Sequence, residues 1–472
     1  MTFSSLVFIC IFFPVVFLLH SLIRVPVIRN GLLILASLVF YTFGEPVYIL
    51  LMLGSVLMNY LAALAMRQSQ KGRKAVLVIA VLLNIGVLAV FKYAGFFVES
   101  LNSLFGTELS VPSIALPIGI SFYTFQAMSY VIDVYRGNVE ASKNPLRVLL
   151  YISFFPQLIA GPIVKYRDIE QELTNRVVSI PEASAGFRRF LFGLSKKVLI
   201  ANTMAVAADA IFNADAGQVN VLGAWIGAVA YLMQIYFDFS GYSDMAIGMG
   251  RMFGFHFREN FDFPYAAVSI KDFWTRWHIS LSSWFKEYVY IPLGGNRKGK
   301  LRTGLNKVIV FFLCGLWHGA NWTFVIWGLI HGAFSFLEEA VHGLRKLPRL
   351  LGHIYTLLVV CCAFVIFRAD TLGQGFSMIG KMFSGFAFDN QSMSLAVQQL
   401  TPFFITMLVA AIFFAGPAEK LVKKLRTGGE EEVHGKAAVV QGIIFGIALI
   451  LLCWDIIRLS GGSYNPFIYF RF

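Results

Sequence analysis

The sequence predicts an all-α protein that crosses a membrane several times. Of its 472 residues, 57% are hydrophobic and only 14% are charged, and the mean hydropathy is +0.70. A water-soluble chain of this length needs more polar surface than such a composition supplies. Many apolar runs also approach about 20 residues, the length of a helix that crosses a hydrocarbon core of about 30 Å. We therefore expect a single transmembrane domain over 1–472, since the polar connectors are too short to form a soluble domain.

The first part of the chain contains four apolar runs, at 3–22, 31–43, 46–66 and 75–96. The first run has no basic start and no small-residue cleavage site, which indicates a retained helix and not a signal peptide. Lysine and arginine concentrate in the connectors between runs, so the positive-inside rule explains the formal charge of +13 better than nucleic-acid binding does. If these connectors face the cytoplasm, the N-terminus lies outside.

Three later stretches depart from simple spans. The run 116–137 is interrupted by proline, glycine and polar residues and predicts a broken or tilted helix. The run 151–169 contains two prolines and predicts a bent or re-entrant piece. The pattern over 187–212 contains four basic residues, which favours a helix near the cytoplasmic surface with snorkelling side chains.

The run 221–250 predicts a long helix that carries Asp238 and Asp244. Two carboxylates at membrane depth are costly unless they are paired or hydrated. Further spans are expected near 320–341, 353–370, 401–416 and 438–457. With the charged connector before the last span inside, the aromatic tail 458–472 lies outside.

The stretch 271–321 carries the strongest functional signal, because it contains two histidines that each directly follow a tryptophan. Its first part, 271–295, is too polar to span lipid and too aromatic for an ordinary loop, which indicates a re-entrant or interfacial segment. His278 lies there near tryptophan and arginine. It could bind an anionic or carbonyl group, or hold a helix junction.

His318 lies instead within an apolar run, where a buried imidazole is one of few groups that can move a proton. The alternative is that it only hydrogen-bonds a neighbouring helix. His331 follows too far along the helix to share one small site without other elements, and we expect a structural role for it. A histidine base suits deprotonation of a hydroxyl or thiol that attacks an acyl carbonyl.

Other chemistries have weaker support. The sequence has no GxSxG elbow, P-loop, HExxH motif or GxGxxG in a strand–helix context, which favours direct acyl transfer over phosphate or hydride chemistry. The five cysteines lie in apolar runs without CxxC spacing and predict neither a metal site nor a disulfide framework.

Four motifs, in this order and spacing, resemble a known family. They are SFFPQLIAGPIVKY, FDFSGYSDMAIGMGRMFG, SIKDFWTRWHISLSSWFKEYVYIPLGGNR and LWHGANWTFVIWGLIHG. The chain is similar over essentially its whole length to the membrane-bound O-acyltransferases, and most of all to the bacterial branch that O-acetylates alginate and peptidoglycan. This resemblance implies a fold of about eleven or more helices, including re-entrant segments, around a central tunnel.

The resemblance also implies site residues. The catalytic histidine of the family matches His318, and its second characteristic polar residue matches His278. A terminal aromatic motif whose tyrosine receives the acyl group matches FIYFRF and selects Tyr469, although the tail could instead be only an interfacial anchor. The expected substrate-binding residues are Trp274, Arg276, Trp277, Trp317, Asn321 and Asp238.

The function implied by the resemblance is acetyl transfer from cytoplasmic acetyl-CoA to an extracytoplasmic polysaccharide, with no bound cofactor. The expected location is the cytoplasmic membrane of a bacterium, and the expected partner is an extracytoplasmic SGNH-hydrolase-like acetyltransferase. The segment WFKEYVYIPLGGNR resembles the corresponding sequence in the acetyl-transferring branch of the family. Three alternatives stay open: transfer of D-alanyl or another acyl group to a cell-envelope polymer, a transporter of small anions, and a scaffold that only docks a transferase.

Overall fold

The computed structural model describes residues 1–68, 71–345, 347–419, 436–462, 464, 465 and 467. Every regular element among these residues is helical, which confirms the predicted all-α class. In chain order the α-helices are α1 (Phe13–Leu22), α2 (Pro26–Thr42), α3 (Ile49–Gln68), α4 (Arg73–Leu88), α5 (Ala94–Phe105), α6 (Ile120–Arg136), α7 (Pro145–Ser153), α8 (Phe155–Leu158), α9 (Tyr166–Ile169), α10 (Ile180–Ser195), α11 (Asn202–Phe212), α12 (Val221–Met252), α13 (Ile270–Arg276), α14 (Ile279–Phe285), α15 (Gly299–His318), α16 (Trp322–Ala340), α17 (His342–Arg345), α18 (Arg349–Arg368), α19 (Leu372–Ser384), α20 (Asn390–Gln398), α21 (Pro402–Ala415) and α22 (Lys436–Ser460).

Six helical segments among the described residues are long and apolar enough to cross a membrane. They are Ile49–Gln68, Arg73–Phe105, Ile180–Phe212, Val221–Met252, Arg349–Arg368 and Val439–Ser460. A seventh span is added if α20 and α21, which are bent by 63° at their junction, act as one. The chain is therefore a multi-pass membrane protein, as predicted.

The described residues form two compact units. The N-terminal unit contains Met1–Phe190 and Ser243–Arg258, and the C-terminal unit contains Leu191–Tyr242 and Glu259–Phe472. Each unit therefore includes part of the segment Ile180–Phe212 and part of α12.

The N-terminal unit has a core of packed phenylalanine rings. The ring centroids of Phe3 and Phe8 are 4.9 Å apart, and those of Phe13 and Phe190 are 5.1 Å apart. Rings at such separations add to the stabilisation that their burial gives. The many phenylalanines of the sequence thus serve partly to pack helices and partly to face lipid.

The structure agrees with the sequence prediction for one of the two irregular stretches of this unit and differs from it for the other. α6 runs without a break from Ile120 to Arg136. Of the two alternatives for 116–137, a broken or a tilted helix, the broken one is therefore wrong, and the irregular part only precedes the helix. In 151–169, by contrast, α7 ends at Ser153 and is followed by the single turns α8 and α9, separated by a non-helical stretch. That prediction of a bent piece is confirmed.

The expected snorkelling of the basic residues in 187–212 is wrong for Arg189 and Lys197. In the C-terminal unit, Lys197 Nζ lies 2.8 Å from Asp238 Oδ1, and both side chains are at most 3% exposed. In the N-terminal unit, Arg189 pairs with Asp244 at 2.7 Å. Ion pairing compensates for burial here, and the expectation that both carboxylates need partners is confirmed.

In the C-terminal unit, α15 and α16 form a tight antiparallel hairpin. A Cβ atom on Gly315 would overlap the carbonyl oxygen of Phe324, and one on Gly328 would overlap that of Phe311. Glycine thus allows a backbone approach that any other residue would prevent. The turn of this hairpin, with His318 at its start, is consequently held in one geometry.

Candidate active site

His318 is the last residue of α15 and is 6% exposed. Asn321, three residues on, caps α16: its Oδ1 accepts a hydrogen bond of 3.0 Å from the backbone N–H of Thr323. The Nδ2 of Asn321 donates to the carbonyl oxygen of Asp370 at 3.1 Å. Asn321 therefore fixes the turn that presents His318, and both ends of its side chain are engaged in doing so.

Aromatic rings form the walls around His318. Its ring centroid lies 4.9 Å from Trp317, 5.0 Å from Trp327 and 5.2 Å from Phe367, each in an edge-to-face arrangement. Such walls keep water away from the imidazole. Electrostatic contacts that it makes with a bound group are correspondingly stronger than they would be in water.

His278 lies at the junction of α13 and α14 and is fully buried. Its backbone is left-handed, with φ 44° and ψ 54°. For a residue other than glycine this conformation costs about 1–2 kcal/mol, a cost that is typically tolerated at functional sites. The segment 271–295, predicted to be re-entrant or interfacial, thus begins with two short helices that meet at a strained histidine.

Asn260 determines the tautomer of His278. The Nδ1 of His278 is 3.2 Å from Asn260 Oδ1, an oxygen that also accepts from the backbone N–H and the hydroxyl of Ser280 at 3.2 and 2.9 Å. Because this oxygen only accepts, Nδ1 carries the proton and Nε2 presents a lone pair. Among the residues that the structure describes, none hydrogen-bonds to His278 Nε2. That nitrogen can therefore accept a proton or a hydrogen bond from a substrate.

Trp317 brings the two Trp–His pairs together. Its ring centroid is 5.9 Å from that of His278 and 4.9 Å from that of His318. On its other side the His278 ring meets Phe239 at 4.6 Å. The two predicted catalytic histidines thus belong to one aromatic-lined region, with the predicted binding residue Trp317 as their shared neighbour.

His331 packs close to this region. Its Nδ1 accepts a hydrogen bond of 3.3 Å from the indole N–H of Trp274, and its ring centroid lies 5.0 Å from Trp327, which also contacts His318. Trp327 therefore links the surroundings of His318 and His331. The hydrogen bond from Trp274 agrees with the structural role expected for His331.

A cavity of about 410 Å³ opens one helical turn from His318, since Cys314 forms part of its wall. Apolar side chains, several hydroxyl and amide side chains and three lysines line it, together with Glu339, which pairs with Lys307 at 2.7 Å. The principal lining residues are Lys271, Trp274, Phe285, Lys286, Lys307, Phe311 and Cys314. Such a cavity can accept an apolar arm that ends in an anionic group, and it includes the predicted binding residue Trp274.

The remaining predicted binding residues make contacts within the protein. Arg276 Nε donates to Asp272 Oδ1 at 2.8 Å. Trp277 is buried and stacks on Phe273 at 5.5 Å. Asp238 pairs with Lys197, as described above. Tyr469 lies outside the described residues.

Sequence reasoning missed Asn260, Ser280, Trp327 and Phe367. Trp327 precedes His331 by one helical turn, a spacing that could have indicated a shared face. Asn260 lies in a loop far from His278 in sequence, where no periodicity indicates a partner. No group of three or more histidine, cysteine or acidic side chains suited to a metal ion occurs in the part of the chain that the structure describes.

The fold and the site together define a polytopic helical membrane protein with buried histidines beside a basic cavity. The model of MBOAT, the membrane-bound O-acyltransferase family, matches residues 46–372. The chain therefore belongs to this family and is an acyltransferase.

Three relatives have named activities to which the chain can be compared. The chain is 42% identical to the probable alginate O-acetylase of Pseudomonas putida, with 100% of both chains covered. It is 37% identical to the peptidoglycan O-acetyltransferase of Helicobacter pylori, over 80% of this chain and 79% of the relative. It is 30% identical to the teichoic acid D-alanyltransferase of Bacillus subtilis, over 53% of this chain and 68% of the relative.

Proposed function

We propose that the protein transfers an acetyl group from cytoplasmic acetyl-CoA across the membrane, for O-acetylation of an extracytoplasmic polysaccharide. The observation that carries this proposal is the grouping of His278 and His318 around Trp317, one helical turn from a basic cavity. Full-length similarity to a probable alginate O-acetylase supports the choice of acetyl and of a polysaccharide acceptor. The protein acts in the cytoplasmic membrane of a bacterium and needs no bound cofactor.

The lysines of the cavity support coenzyme A as the carrier of the donor. Ammonium groups bind phosphate, and coenzyme A carries several phosphate groups at one end and its thioester at the other. The apolar part of the cavity, with Trp274 and Phe311, accepts the connecting arm. Because Cys314 is the lining residue one helical turn from His318, the thioester would approach His318 from the part of the cavity next to Cys314.

The first chemical step forms an ester on Tyr469. The Tyr469 hydroxyl oxygen attacks the acetyl carbonyl carbon while His318 accepts the hydroxyl proton. The carbon–sulfur bond breaks, and the thiolate of coenzyme A takes the proton from His318. His278 Nε2 orients the donor or the acceptor by accepting a hydrogen bond.

The second step moves the acetyl group outward. A polysaccharide hydroxyl attacks the tyrosyl ester and gives its proton to the departing phenolate, which restores Tyr469. An extracytoplasmic SGNH-hydrolase-like partner catalyses this exchange. The scheme requires an extracytoplasmic tail, and the basic connectors between spans support this orientation of both termini.

D-alanyl transfer to a cell-envelope polymer is the second candidate, because a teichoic acid D-alanyltransferase is similar to part of the chain. The two candidates differ in donor. Purified protein should release coenzyme A from acetyl-CoA under the first, whereas the second requires a carrier-protein thioester. Absence of acetyl-CoA cleavage by folded protein, together with activity on a D-alanyl thioester, would replace the first candidate by the second.

Transfer of the acetyl group through an ester on Tyr469 is called the relay below. Tyr469→Phe tests it, because the substitution keeps the ring and removes only the attacking oxygen. We expect polysaccharide acetylation in cells to fall to background while the protein stays at wild-type level in the membrane. Tyr48→Phe, which removes a hydroxyl from the N-terminal unit, is the control and should leave acetylation unchanged. Undiminished acetylation in Tyr469→Phe would leave the tail as an anchor only.

A further inference from the structure

The described residues of the C-terminal tail are held by three successive contacts within the C-terminal unit. The Tyr464 hydroxyl donates to Asp209 Oδ2 at 2.8 Å. Asn202 Nδ2 donates to Asn465 Oδ1 at 3.1 Å. The Phe467 ring centroid lies 4.8 Å from that of Tyr242, which is buried.

These contacts differ from those of an aromatic anchor. An interfacial anchor places its rings among lipid headgroups and needs no fixed protein partner. Here two of the three tail residues use specific side-chain hydrogen bonds, and one of these joins the half-exposed Tyr464 to a carboxylate. The tail is therefore docked on the protein at residues 464, 465 and 467.

Asp209 is itself held by a buried arginine. Its Oδ1 accepts from Arg368 Nη2, and the Arg368 side chain is only 2% exposed. The guanidinium carbon of Arg368 also lies 5.0 Å from the ring centroid of Phe212. With one oxygen bound to Arg368 and the other to Tyr464, the Asp209 carboxylate has a fixed orientation.

Arg368 links this attachment to the surroundings of His318. It is the last residue of α18, and the preceding residue, Phe367, packs on His318 at 5.2 Å and on Trp327 at 5.0 Å. One helix end thus supplies both an aromatic wall of His318 and the arginine that holds Asp209. The position of the tail is consequently tied to the position of the catalytic histidine through neighbouring residues of a single helix.

We propose that Tyr464, Asp209 and Arg368 form a latch that positions the C-terminal tail for acyl transfer. This inference rests on the proposed function, in which a tyrosine of the tail receives the acetyl group. Holding the tail in place replaces an encounter between the donor and a freely moving segment by a reaction between fixed groups. The three are positioning residues and take no part in bond formation.

Tyr464→Phe in the full-length protein tests the latch, because it removes only the hydroxyl that binds Asp209. We expect the rate of Tyr469 acetylation from labelled acetyl-CoA to fall roughly tenfold, since a charge-assisted hydrogen bond is lost. The KM for acetyl-CoA should stay unchanged, because the donor cavity is intact. Hydrogen–deuterium exchange in the last fifteen residues should become faster. Asp209→Asn, which keeps an acceptor oxygen but removes the charge, should act in the same direction.

The outcomes separate the latch from the relay. If Tyr464→Phe matches the wild type in both tail exchange and acetylation rate, the latch is overturned, whatever the role of Tyr469. If the wild type carries no acetyl group on Tyr469, the relay fails. Faster tail exchange and lower polysaccharide acetylation in Tyr464→Phe would then still support the latch, and the absence of both changes would remove it.

Discussion

The pairs Trp277–His278 and Trp317–His318 look alike in sequence but are supported in different ways. His318 ends a regular helix and is surrounded by three aromatic rings. His278 lies in strained backbone, and the Asn260 side chain fixes its tautomer. Helix packing thus controls the environment of one histidine, and a polar loop network controls that of the other. We infer that His318 transfers the proton and that His278 positions donor or acceptor.

Replacing each histidine by alanine should separate their two roles most clearly. His318→Ala should lower acetyl transfer by at least roughly 100-fold, the usual contribution of a general base. His278→Ala should lower it less, by roughly tenfold, because a positioning hydrogen bond contributes less. Initial rates with purified protein and acetyl-CoA measure both effects. His353→Ala, at a half-buried histidine that contacts the carbonyl oxygen of Ala267 at 3.1 Å, is the control. A larger loss in His278→Ala than in His318→Ala would reverse the assignment.

Asp238→Asn should destabilise the side of the site that contains His278. The substitution leaves Lys197 buried without its carboxylate, which costs about 3–5 kcal/mol. Asp238 adjoins Phe239, whose ring packs on His278. Thermal unfolding in detergent measures the loss. Arg258→Gln removes a largely exposed partner of Asp168 and should cost less than about 1 kcal/mol. Equal unfolding temperatures for the two variants would contradict the argument from burial.

Asn260→Ala should impair transfer only through His278. The imidazole loses the oxygen that fixes its tautomer, and the rate should fall roughly tenfold. In a double-mutant cycle, the rate of Asn260→Ala combined with His278→Ala should be little lower than that of His278→Ala alone. Both substitutions remove the same positioning hydrogen bond, which can be lost only once. Fully multiplicative losses would show that Asn260 acts independently of His278.

His256, which lies outside the membrane spans, should have a smaller effect, on the pH dependence of the unfolding temperature. A hydrogen bond of 2.8 Å that His256 Nδ1–H donates to the Glu172 carboxylate raises the pKa of this half-exposed histidine above 6.5, and the nearby charge of Glu182 acts in the same direction. The stabilisation is complete below pH 6.5 and is lost as the pH rises through the elevated value in the folded protein. Unfolding temperatures measured from pH 6 to 9 should therefore decline slightly, by roughly 1 °C. The decline should vanish in His256→Gln, and a decline of the same size in that variant would assign it to another group.

Much of the fold could be predicted because hydropathy alone determines where long apolar helices occur. The two Trp–His pairs could be found because histidine is rare in apolar runs and costly there. The Lys197–Asp238 pair could not, since its members lie on helices that are distant in sequence and only packing brings them together. The contacts of Asn260 with His278 and of Phe367 with His318 could not be predicted for the same reason. Composition indicates that a buried charge needs a partner, but it does not identify the partner.

We propose above all that His318 drives acetyl transfer from acetyl-CoA to the tail tyrosine. Mass spectrometry of the purified protein after incubation with isotopically labelled acetyl-CoA tests it most directly, because it locates the acetyl group on a residue. We expect labelled acetyl on Tyr469 in the wild type and none in His318→Ala. Equal labelling of Tyr469 in both proteins, or labelling confined to another residue, would contradict this role of His318.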